Sequence, residues 1–282
     1  MSSPGGRVVL GIEAVVPGRA AATSAKGAVV GRDGFHSQVY EMKLEEITLI
    51  VPTKNEEKNI GRFLSSLPPK LWLTVVDASD DHTVARILKL RPERTTIIHE
   101  PCNVSMARQW GAERAHTRWL LFSDADVVFP QGYFERLSAL AEDDVIYGRK
   151  LSTDQFKHYY LCFAYGQAFF HRLRIPSASG SNLLIRRTAW ARVGGFDTRL
   201  PCNEDSEIVW RIRKAGFRVA FDRKLVVYAT DHRRLYRGIW RKTAHSLFCC
   251  ALLRFNLLPS RWRGYDFGYW SVPRPEEHKA SH

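Results

Sequence analysis

Two aspartates close an apolar run near the middle of the chain. The run at residues 119–122 (WLLF) leads into Ser123, and Asp124 and Asp126 follow with one residue between them. Carboxylate oxygens are ligands that Mg²⁺ and Mn²⁺ prefer, and these cations leave several coordination positions to water and to phosphate oxygens. Many such pairs occur by chance, but this pair stands where a strand ends. It therefore predicts a divalent-cation site that faces a phosphate-bearing ligand.

A second acidic pair stands at the start of a predicted helix. Glu204 and Asp205 precede a helical pattern whose apolar face contains Ile208, Val209 and Ile212. Carboxylates in the first turn complement the partial positive charge of a helix N-terminus. A carboxylate in such a position can equally serve as a general base that accepts a proton from an attacking hydroxyl. Both interpretations stay open on these residues alone.

Alternating strand and helix patterns position the first aspartate pair. Strands are predicted at residues 47–52, 73–78, 95–100 and 118–126, and helices at residues 56–67, 81–90 and 105–116. Strands separated by helices are typical of βαβ units in a largely parallel sheet. The predicted fold class is therefore α/β, with a mostly parallel central sheet flanked by helices and with apolar, amphipathic helices towards the C-terminus.

Three aspartates fall at the carboxyl ends of these predicted strands. Asp77 lies at the end of the second strand, and Asp124 and Asp126 lie at the end of the fourth. Ligands of open α/β sheets bind outside the carboxyl ends of the strands. Each aspartate could instead cap a helix, but three of them at one edge favour a ligand site.

The composition divides the chain into three parts. Residues 1–41 are rich in Gly, Ala, Ser and Val without periodicity, which predicts a disordered or loosely attached extension. The predicted catalytic domain covers residues 42–235. Residues 236–282 are predicted to form a basic and apolar helical segment that associates with a membrane.

Charge and cysteine content narrow the classes of function. The formal net charge of +13 favours an anionic partner, which could be nucleic acid, a membrane surface or a phosphate-bearing substrate. The five cysteines include no CxxC pair, which argues against a disulfide framework or a zinc site and favours a reducing cytosolic setting. The sequence contains no apolar run of 18 residues, so no transmembrane helix is predicted.

Two apolar stretches in the second half carry flanking cations. They cover residues 156–175 and 245–259. Aromatic stretches usually belong to a core, but the adjacent Lys and Arg residues also fit interfacial helices on an anionic leaflet. We predict a peripheral protein on the cytoplasmic face of a membrane, and the alternative of an ordinary core stays open.

An ordered set of motifs from about residue 46 to residue 234 resembles glycosyltransferase family 2, whose enzymes have the GT-A fold. The family includes dolichol-phosphate mannose synthase-like and cellulose-synthase-like enzymes. The segments that carry the resemblance are ITLIVPTKNEEKNIGRFLSSL, VVDASDDHT, NVSMARQWGAERAHTRWLLFSDAD, SGSNLLIRRTAWARVGGFD and NEDSEIVWRIRKAGFRV. The resemblance covers about two thirds of the chain and implies a Rossmann-like GT-A catalytic domain.

The resemblance implies roles for residues around the donor nucleoside. Pro52, Lys54 and Glu56 would lie in the turn that lines the pocket. Asp77 would hydrogen-bond the base, and Arg108 would lie near the nucleotide. Lys54 fills a position that is often aromatic in relatives, which leaves uridine and guanosine both open.

Further implied roles concern the diphosphate, the metal and the acceptor. Asp124 and Asp126 would hold Mn²⁺ or Mg²⁺ together with the donor diphosphate, and Asp205 would be the catalytic base. The other residues implied to contact the donor or the metal are Arg149, Glu204 and His232. A single histidine is commonly structural, and an exposed arginine is commonly just solvated. These ordinary interpretations therefore also remain open for His232 and Arg149.

The motifs together predict an inverting, metal-dependent glycosyltransferase. It would move mannose from GDP-mannose, or glucose from UDP-glucose, to a lipid-linked or glycan acceptor. One alternative is a nucleotidyltransferase, although the turn PTKNEEKN lacks the Gly-rich phosphate loop that such enzymes typically carry. A second alternative is a basic nucleic-acid-binding protein, which would explain the charge but not the ordered carboxylates. Under the glycosyltransferase prediction, we expect no nucleic-acid partner.

Overall fold

The described part of the chain folds into a nine-stranded sheet covered by helices on both faces. A computed structural model describes residues 8–11, 41–175, 177–200, 203–233 and 235. The strands, in chain order from β1 to β9, are Val8–Gly11, Ile47–Thr53, Trp72–Asp77, Thr95–His99, Trp119–Phe122, Val127–Val128, Val145–Leu151, Leu183–Arg186 and Val219–Ala229. The four strands predicted from sequence are β2 to β5, and the first three are confirmed within about one residue. The fourth was predicted to run to residue 126 but ends at Phe122, because its pairing with β2 and β8 stops there.

The sheet has the order β1-β4-β3-β2-β5-β8-β7-β9-β6. Its β4-β3-β2-β5 part is parallel, as the alternation of strands and helices predicted. Beyond β5 the sheet continues through β8, which is antiparallel to both β5 and β7. The α/β class with a curled sheet flanked by helices is confirmed. The β4-β3-β2-β5 part carries the first aspartates. The part beyond β5 is mixed, since β7 and β9 are parallel to each other, and it adds a second wall beside the aspartates.

Seven α-helices connect or cover these strands within the described ranges. From α1 to α7 they are Ile60–Ser65, Thr83–Leu90, Val104–Arg114, Tyr133–Ser138, Lys157–Arg172, Arg187–Arg192 and Glu204–Lys214. The first helix begins at Ile60, whereas the sequence pattern predicted a start at residue 56. The reason is that Asn55 adopts a left-handed conformation (φ 55°) and the backbone N–H of Glu56 donates to the Thr83 hydroxyl. The preceding residues therefore form a turn held against the start of α2.

The two faces of the parallel strands bury separate hydrophobic clusters. Leu49 and Val51 of β2 face α1 and α2, whereas Ile50 faces α3 and packs in the cluster that also contains α7 residues. The period of two along β2 explains this division, because successive side chains point to opposite faces. Helix α3 lies close to β2, since a Cβ on Gly111 would come within 2.4 Å of Ile50 Cγ2.

The ends of the chain bear on the predicted domain boundaries. Val8–Gly11 pairs antiparallel with β4, although the composition of residues 1–41 indicated no strand there. The aromatic stretch at residues 156–175 contains helix α5. The apolar stretch at 245–259 and the whole segment 236–282 lie outside the described residues. The division into three parts therefore stays a prediction.

We expect Gly111→Ala to destabilise the fold, because the added methyl group must push Ile50 away in a packed core. The free energy of unfolding should fall by about 1–3 kcal/mol. Chemical denaturation measures this change. Gly166→Ala is the matched control, since Gly166 lies in α5 with nothing within 4 Å of its would-be Cβ. The control should be neutral or gain up to about 1 kcal/mol from helix propensity. Equal effects of the two substitutions would contradict the close approach of α3 to β2.

Candidate active site

A buried arginine links two of the acidic motifs. Arg108, from α3, is 4% exposed, and its Nη2 lies 2.9 Å from Asp124 Oδ1. Its Nη1 pairs with Glu204 Oε1 at the start of α7. Gly180 packs against the guanidinium, because a Cβ there would fall 2.2 Å from Arg108 Cζ. The guanidinium of Arg108 thereby joins the loop after β5 to the start of α7.

The candidate base faces the same guanidinium across a short loop. Asp205 Oδ2 accepts a hydrogen bond of 2.7 Å from the backbone N–H of Gly180, and Oδ1 accepts one of 2.6 Å from the N–H of Ser206. Burial raises the pKa of Asp205 above its ordinary value, and the positive charge of Arg108 opposes that shift. A carboxyl group with a raised pKa is suited to accepting a proton near neutral pH.

A lysine lies between the two aspartates that follow β5. Lys150 Nζ, from β7, lies 2.9 Å from Asp126 Oδ1 and 3.8 Å from Asp124 Oδ2. The Ser181 hydroxyl donates to the second oxygen of Asp124. Burial by itself would lower the pKa of Lys150, but the charges of Asp126 and Asp124 outweigh burial and raise that pKa. Neither Lys150 nor Ser181 was singled out from the sequence.

These residues form one connected group, which we call the carboxylate cluster. Its members are Arg108, Asp124, Asp126, Lys150, Ser181, Glu204 and Asp205. Asp124 is the centre, because it contacts Arg108, Ser181 and Lys150. The structure thus brings together the predicted metal pair and the predicted base, which stand about 80 residues apart in the sequence.

The donor set of this cluster fits a divalent cation bound with a substrate. Two carboxylates suit Mg²⁺ or Mn²⁺, which take few protein oxygens and complete their shell with water and phosphate. Among the described residues, no three His, Cys, Asp or Glu side chains form a group that could hold a metal ion. The ring nitrogens of His232 are engaged elsewhere, with Nε2 lying 2.8 Å from Asp154 and Nδ1 3.3 Å from the Tyr160 hydroxyl. Its role as a ligand stays a prediction.

Asp77 lies at the same edge, at the end of β3, and is fully buried. One carboxylate oxygen accepts hydrogen bonds from the hydroxyls of Thr53 (2.5 Å) and Ser79 (2.6 Å). The other oxygen lies 2.8 Å from His99 Nδ1. Asp77 therefore fixes the ends of β2, β3 and β4 against one another. Its contact with a base stays a prediction, and His99 is a half-exposed neighbour that the motifs did not indicate.

The turn after β2 is tied to the segment that follows β9. Glu56 pairs with Arg233 and accepts a hydrogen bond of 2.8 Å from the Asn59 side chain. Asn59 also donates to Asp231 at 3.0 Å. The buried Pro52 and the partly buried Lys54 lie in or directly after β2, beside this turn. The contacts fix the turn that the motifs assign to the nucleoside pocket.

Arg149 is separated from the cluster by the geometry of its strand. It immediately precedes Lys150 in β7, and successive side chains along a strand point to opposite faces of the sheet. Lys150 contacts the aspartates, so Arg149 points away from them. A phosphate contact by Arg149 stays a prediction. Because successive side chains of a strand point to opposite faces, the segment YGRK could have indicated Lys150 as an alternative to Arg149 for a residue that faces the site.

Comparison with known proteins shows which family the chain matches. The model of the family described as "Glycosyl transferase family 2" matches residues 48–194, just over half of the 282-residue chain. The chain is 28% identical over 230 residues to the succinoglycan biosynthesis protein ExoA of Rhizobium meliloti (strain 1021), which covers 71% of this chain and 69% of that protein. It is 24% identical over 216 residues to the pre-mycofactocin glycosyltransferase of Mycobacterium tuberculosis (strain CDC 1551 / Oshkosh), covering 68% of this chain and 44% of that protein. The chain thus spans less than half the length of this second relative.

Solved structures share the fold. The mannosyltransferase PcManGT from Pyrobaculum calidifontis, in complex with GDP-Man and Mn²⁺, superposes with a TM-score of 0.56 at 21% identity, covering 84% of this chain and 76% of that one. Residues 1–349 of S. aureus TarS give a TM-score of 0.54 at 18% identity, covering 82% and 76%. At these identities the likeness establishes the α/β architecture and nothing finer.

We expect Arg108→Met to destabilise the protein strongly, because it leaves the buried Glu204 without its cation and removes the closer of two cations from the partly buried Asp124. The free energy of unfolding should fall by about 3–5 kcal/mol in chemical denaturation. Arg199→Met is the control, since Arg199 pairs with Asp197 at the surface and its side chain is 68% exposed. The control should leave the denaturation midpoint unchanged. An equally stable Arg108→Met protein would contradict the bridging role.

Proposed function

This chain belongs to glycosyltransferase family 2, and on that premise we propose that it is an inverting, metal-dependent hexosyltransferase. The donor is a nucleotide-sugar, with GDP-mannose as the first candidate and UDP-glucose as the second. The acceptor is a lipid-linked saccharide or another glycan. One observation carries the proposal: Asp205 contacts Gly180 and the adjacent Ser181 contacts Asp124, so a candidate base and a candidate diphosphate site share one cleft.

Departure of the nucleoside diphosphate makes the first chemical demand on this cleft. Negative charge grows on the diphosphate as the glycosidic bond breaks, and positive charge fixed beside it stabilises the transition state more than the intact donor. Asp124 and Asp126 would hold Mn²⁺ or Mg²⁺, which supplies that charge when bound. Arg108 holds Asp124 in position for this task through the 2.9 Å contact.

Proton removal from the acceptor makes the second demand. An attacking hydroxyl must lose its proton as it bonds to the anomeric carbon, and Asp205 is the group proposed to accept that proton. Attack from the face opposite the diphosphate inverts the anomeric centre. The hydrogen bonds from Gly180 and Ser206 fix the orientation of the Asp205 carboxylate, so the base is positioned before the acceptor arrives.

Known relatives of the fold support this donor class and metal. PcManGT was solved with GDP-Man and Mn²⁺, and residues 1–349 of TarS were solved with UDP-GlcNAc. Both a guanosine and a uridine donor are therefore compatible with the architecture. The nucleotidyltransferase and nucleic-acid-binding alternatives have no comparable support, because the family match covers residues 48–194, which include Asp77, Asp124 and Asp126.

The proposed transfer is tested by incubating the protein with GDP-mannose or UDP-glucose, Mn²⁺ and a lipid-linked glycan acceptor. We expect sugar transfer from one donor, lost on chelation of the metal. Asp205→Asn should lower kcat by about 10²–10⁴-fold, because the amide cannot accept the proton. Its donor Kd should stay unchanged.

The control for that substitution is Glu113→Gln, which makes the same carboxylate-to-amide change on the exposed surface of α3. It should retain wild-type kcat. The pH profile gives a further readout: kcat/KM should fall on the acid side as Asp205 becomes protonated, with a limb above the ordinary aspartate pKa of about 4. Full activity of Asp205→Asn would refute the assignment of the base. The same conclusion would follow if the acid limb of the kcat/KM profile were the same in Asp205→Asn as in wild type.

Helix α5 supports a membrane-bound acceptor. It buries Tyr160, Ala164 and Gln167 and exposes large apolar side chains at Leu161, Phe163, Tyr165, Phe169 and Leu173. The cations at or next to its ends are Lys157, His158, Arg172 and Arg174, and Arg223 stacks 5.9 Å from the Tyr165 ring. Apolar side chains beside cations fit an anionic lipid surface. We therefore propose peripheral association with the cytoplasmic leaflet. Among the described helices, none has the length and hydropathy needed to cross a bilayer.

Binding to anionic vesicles tests the role of α5. The double substitution Tyr165→Ser and Phe169→Ser should weaken co-sedimentation with phosphatidylglycerol vesicles at low salt by at least about tenfold. Leu90→Ser is the control, because Leu90 is 52% exposed on α2, away from the aromatic face. Binding should decrease at high salt. Absence of wild-type binding, or equal binding of the double variant, would exclude α5 as the membrane contact.

A further inference from the structure

Lys150 lies between the two aspartates that are the candidate metal ligands. Its ammonium group lies 2.9 Å from Asp126 Oδ1, 3.8 Å from Asp124 Oδ2 and 3.3 Å from Ser181 Oγ. Its side chain is 12% exposed, and those of Asp124 and Asp126 are 22% and 14% exposed. The lysine is therefore enclosed with two carboxylates and a hydroxyl at the centre of the cluster.

The charges of the cluster explain why a lysine stands there. Without a donor, Asp124 and Asp126 are two anions in a largely buried cleft, and such anions are unstable without a partner. Arg108 faces Asp124 from one side, but it is shared with Glu204. Lys150 is the cation that contacts Asp126 directly, and it also faces Asp124. It thus offsets part of the negative charge of Asp124 and Asp126 in the donor-free protein.

We propose that Lys150 is a built-in cation that holds the metal position in the donor-free protein and yields it when metal and donor diphosphate arrive together. This inference rests on the proposed function. A divalent ion alone must displace the ammonium group from Asp126 and leave it without a partner. A nucleoside diphosphate supplies new anionic oxygens for the displaced lysine, so donor and metal assist each other's binding.

A purely structural role for Lys150 predicts a different result. If the lysine only fastened β7 to the loop after β5, its removal would loosen the site, and metal affinity would fall or stay the same. Under the proposal its removal vacates a cation position, and metal affinity rises. A gain in affinity is not expected from a substitution that merely damages the fold.

The test is a titration of donor-free protein with Mn²⁺ alone, followed by the electron paramagnetic resonance signal of free Mn²⁺. Lys150→Met and Lys150→Gln should each bind Mn²⁺ at least tenfold more tightly than wild type. Lys150→Arg, which keeps the charge, should stay weak. Lys70→Met is the control, because Lys70 lies 3.8 Å from Glu45 at the surface and its removal changes net charge equally.

Thermal unfolding provides a second measurement that does not depend on activity. The melting temperature of Lys150→Met should lie below that of wild type without metal and should recover on addition of Mn²⁺, whereas wild type should respond little. If Lys150→Met does not fold, Lys150→Gln carries the comparison, since glutamine can still donate to Asp126. Unchanged or weaker Mn²⁺ affinity in the neutral variant that folds overturns the proposal.

The result is separable from the outcome for the proposed function. Tighter Mn²⁺ binding by the neutral variants without any sugar transfer by wild type would retain Lys150 as the built-in cation and remove the proposed reaction. Sugar transfer by wild type with unchanged Mn²⁺ affinity in the neutral variants would retain the reaction and remove the role of Lys150.

Adding GDP or UDP should tighten Mn²⁺ binding more in wild type than in Lys150→Met.

Discussion

The cleft of this glycosyltransferase family 2 protein depends on one buried arginine. Arg108 contacts Asp124 and Glu204 while only 4% exposed, and charges at that depth are tolerated only when they are paired. The arginine comes from α3, the first carboxylate from the end of β5 and the second from the start of α7. Three distant parts of the chain therefore share one ion-pair network. Any account of the site must preserve this balance of charge.

The loop before β8 makes this network possible. Gly180 leaves room for the guanidinium, and its backbone N–H donates to Asp205. Ser181 donates to Asp124. Asn182, fully buried, donates to the carbonyl groups of Arg149 and Leu225 at 3.1 Å and so anchors the loop to β7 and β9. Three consecutive residues thus join the parallel part of the sheet to the mixed part beyond β5.

The same loop couples the chemistry to the rest of the molecule. Asn182 donates a hydrogen bond to the carbonyl of Arg149, the residue directly before Lys150 in β7. This bond anchors the part of the strand from which the Lys150 ammonium group reaches Asp126. The nucleoside side of the cleft is held separately, through Asp77 and its hydroxyl and imidazole partners. A donor that spans both regions would contact two rigid walls, each stabilised by buried polar groups with partners. Such preorganisation lowers the cost of orienting a flexible nucleotide-sugar.

Local patterns sufficed for the parallel strands and the acidic motifs. The strands β2 to β5 were predictable because a buried strand is a short β-branched or aromatic run. Asp124 was noticeable because it ends such a run, and Asp205 because it precedes a helical pattern. The start of α1 was not predictable, since Ile60 follows a turn that contacts Thr83 on another element. Patterns of this kind carry no information about contacts made across the sheet.

The sequence by itself determined the α/β class, the family resemblance and the identity of the acidic residues. Only the tertiary structure decided which cation meets them, because Arg149 and Lys150 are adjacent in YGRK and equal in charge. Lys150 pairs with Val227 of β9, beyond a register irregularity between Tyr147 and Arg149, and in this register its side chain faces Asp126. A shift of one residue in a strand reverses the face of every side chain. Register is set by pairing across the whole sheet, so the segment itself could not reveal it.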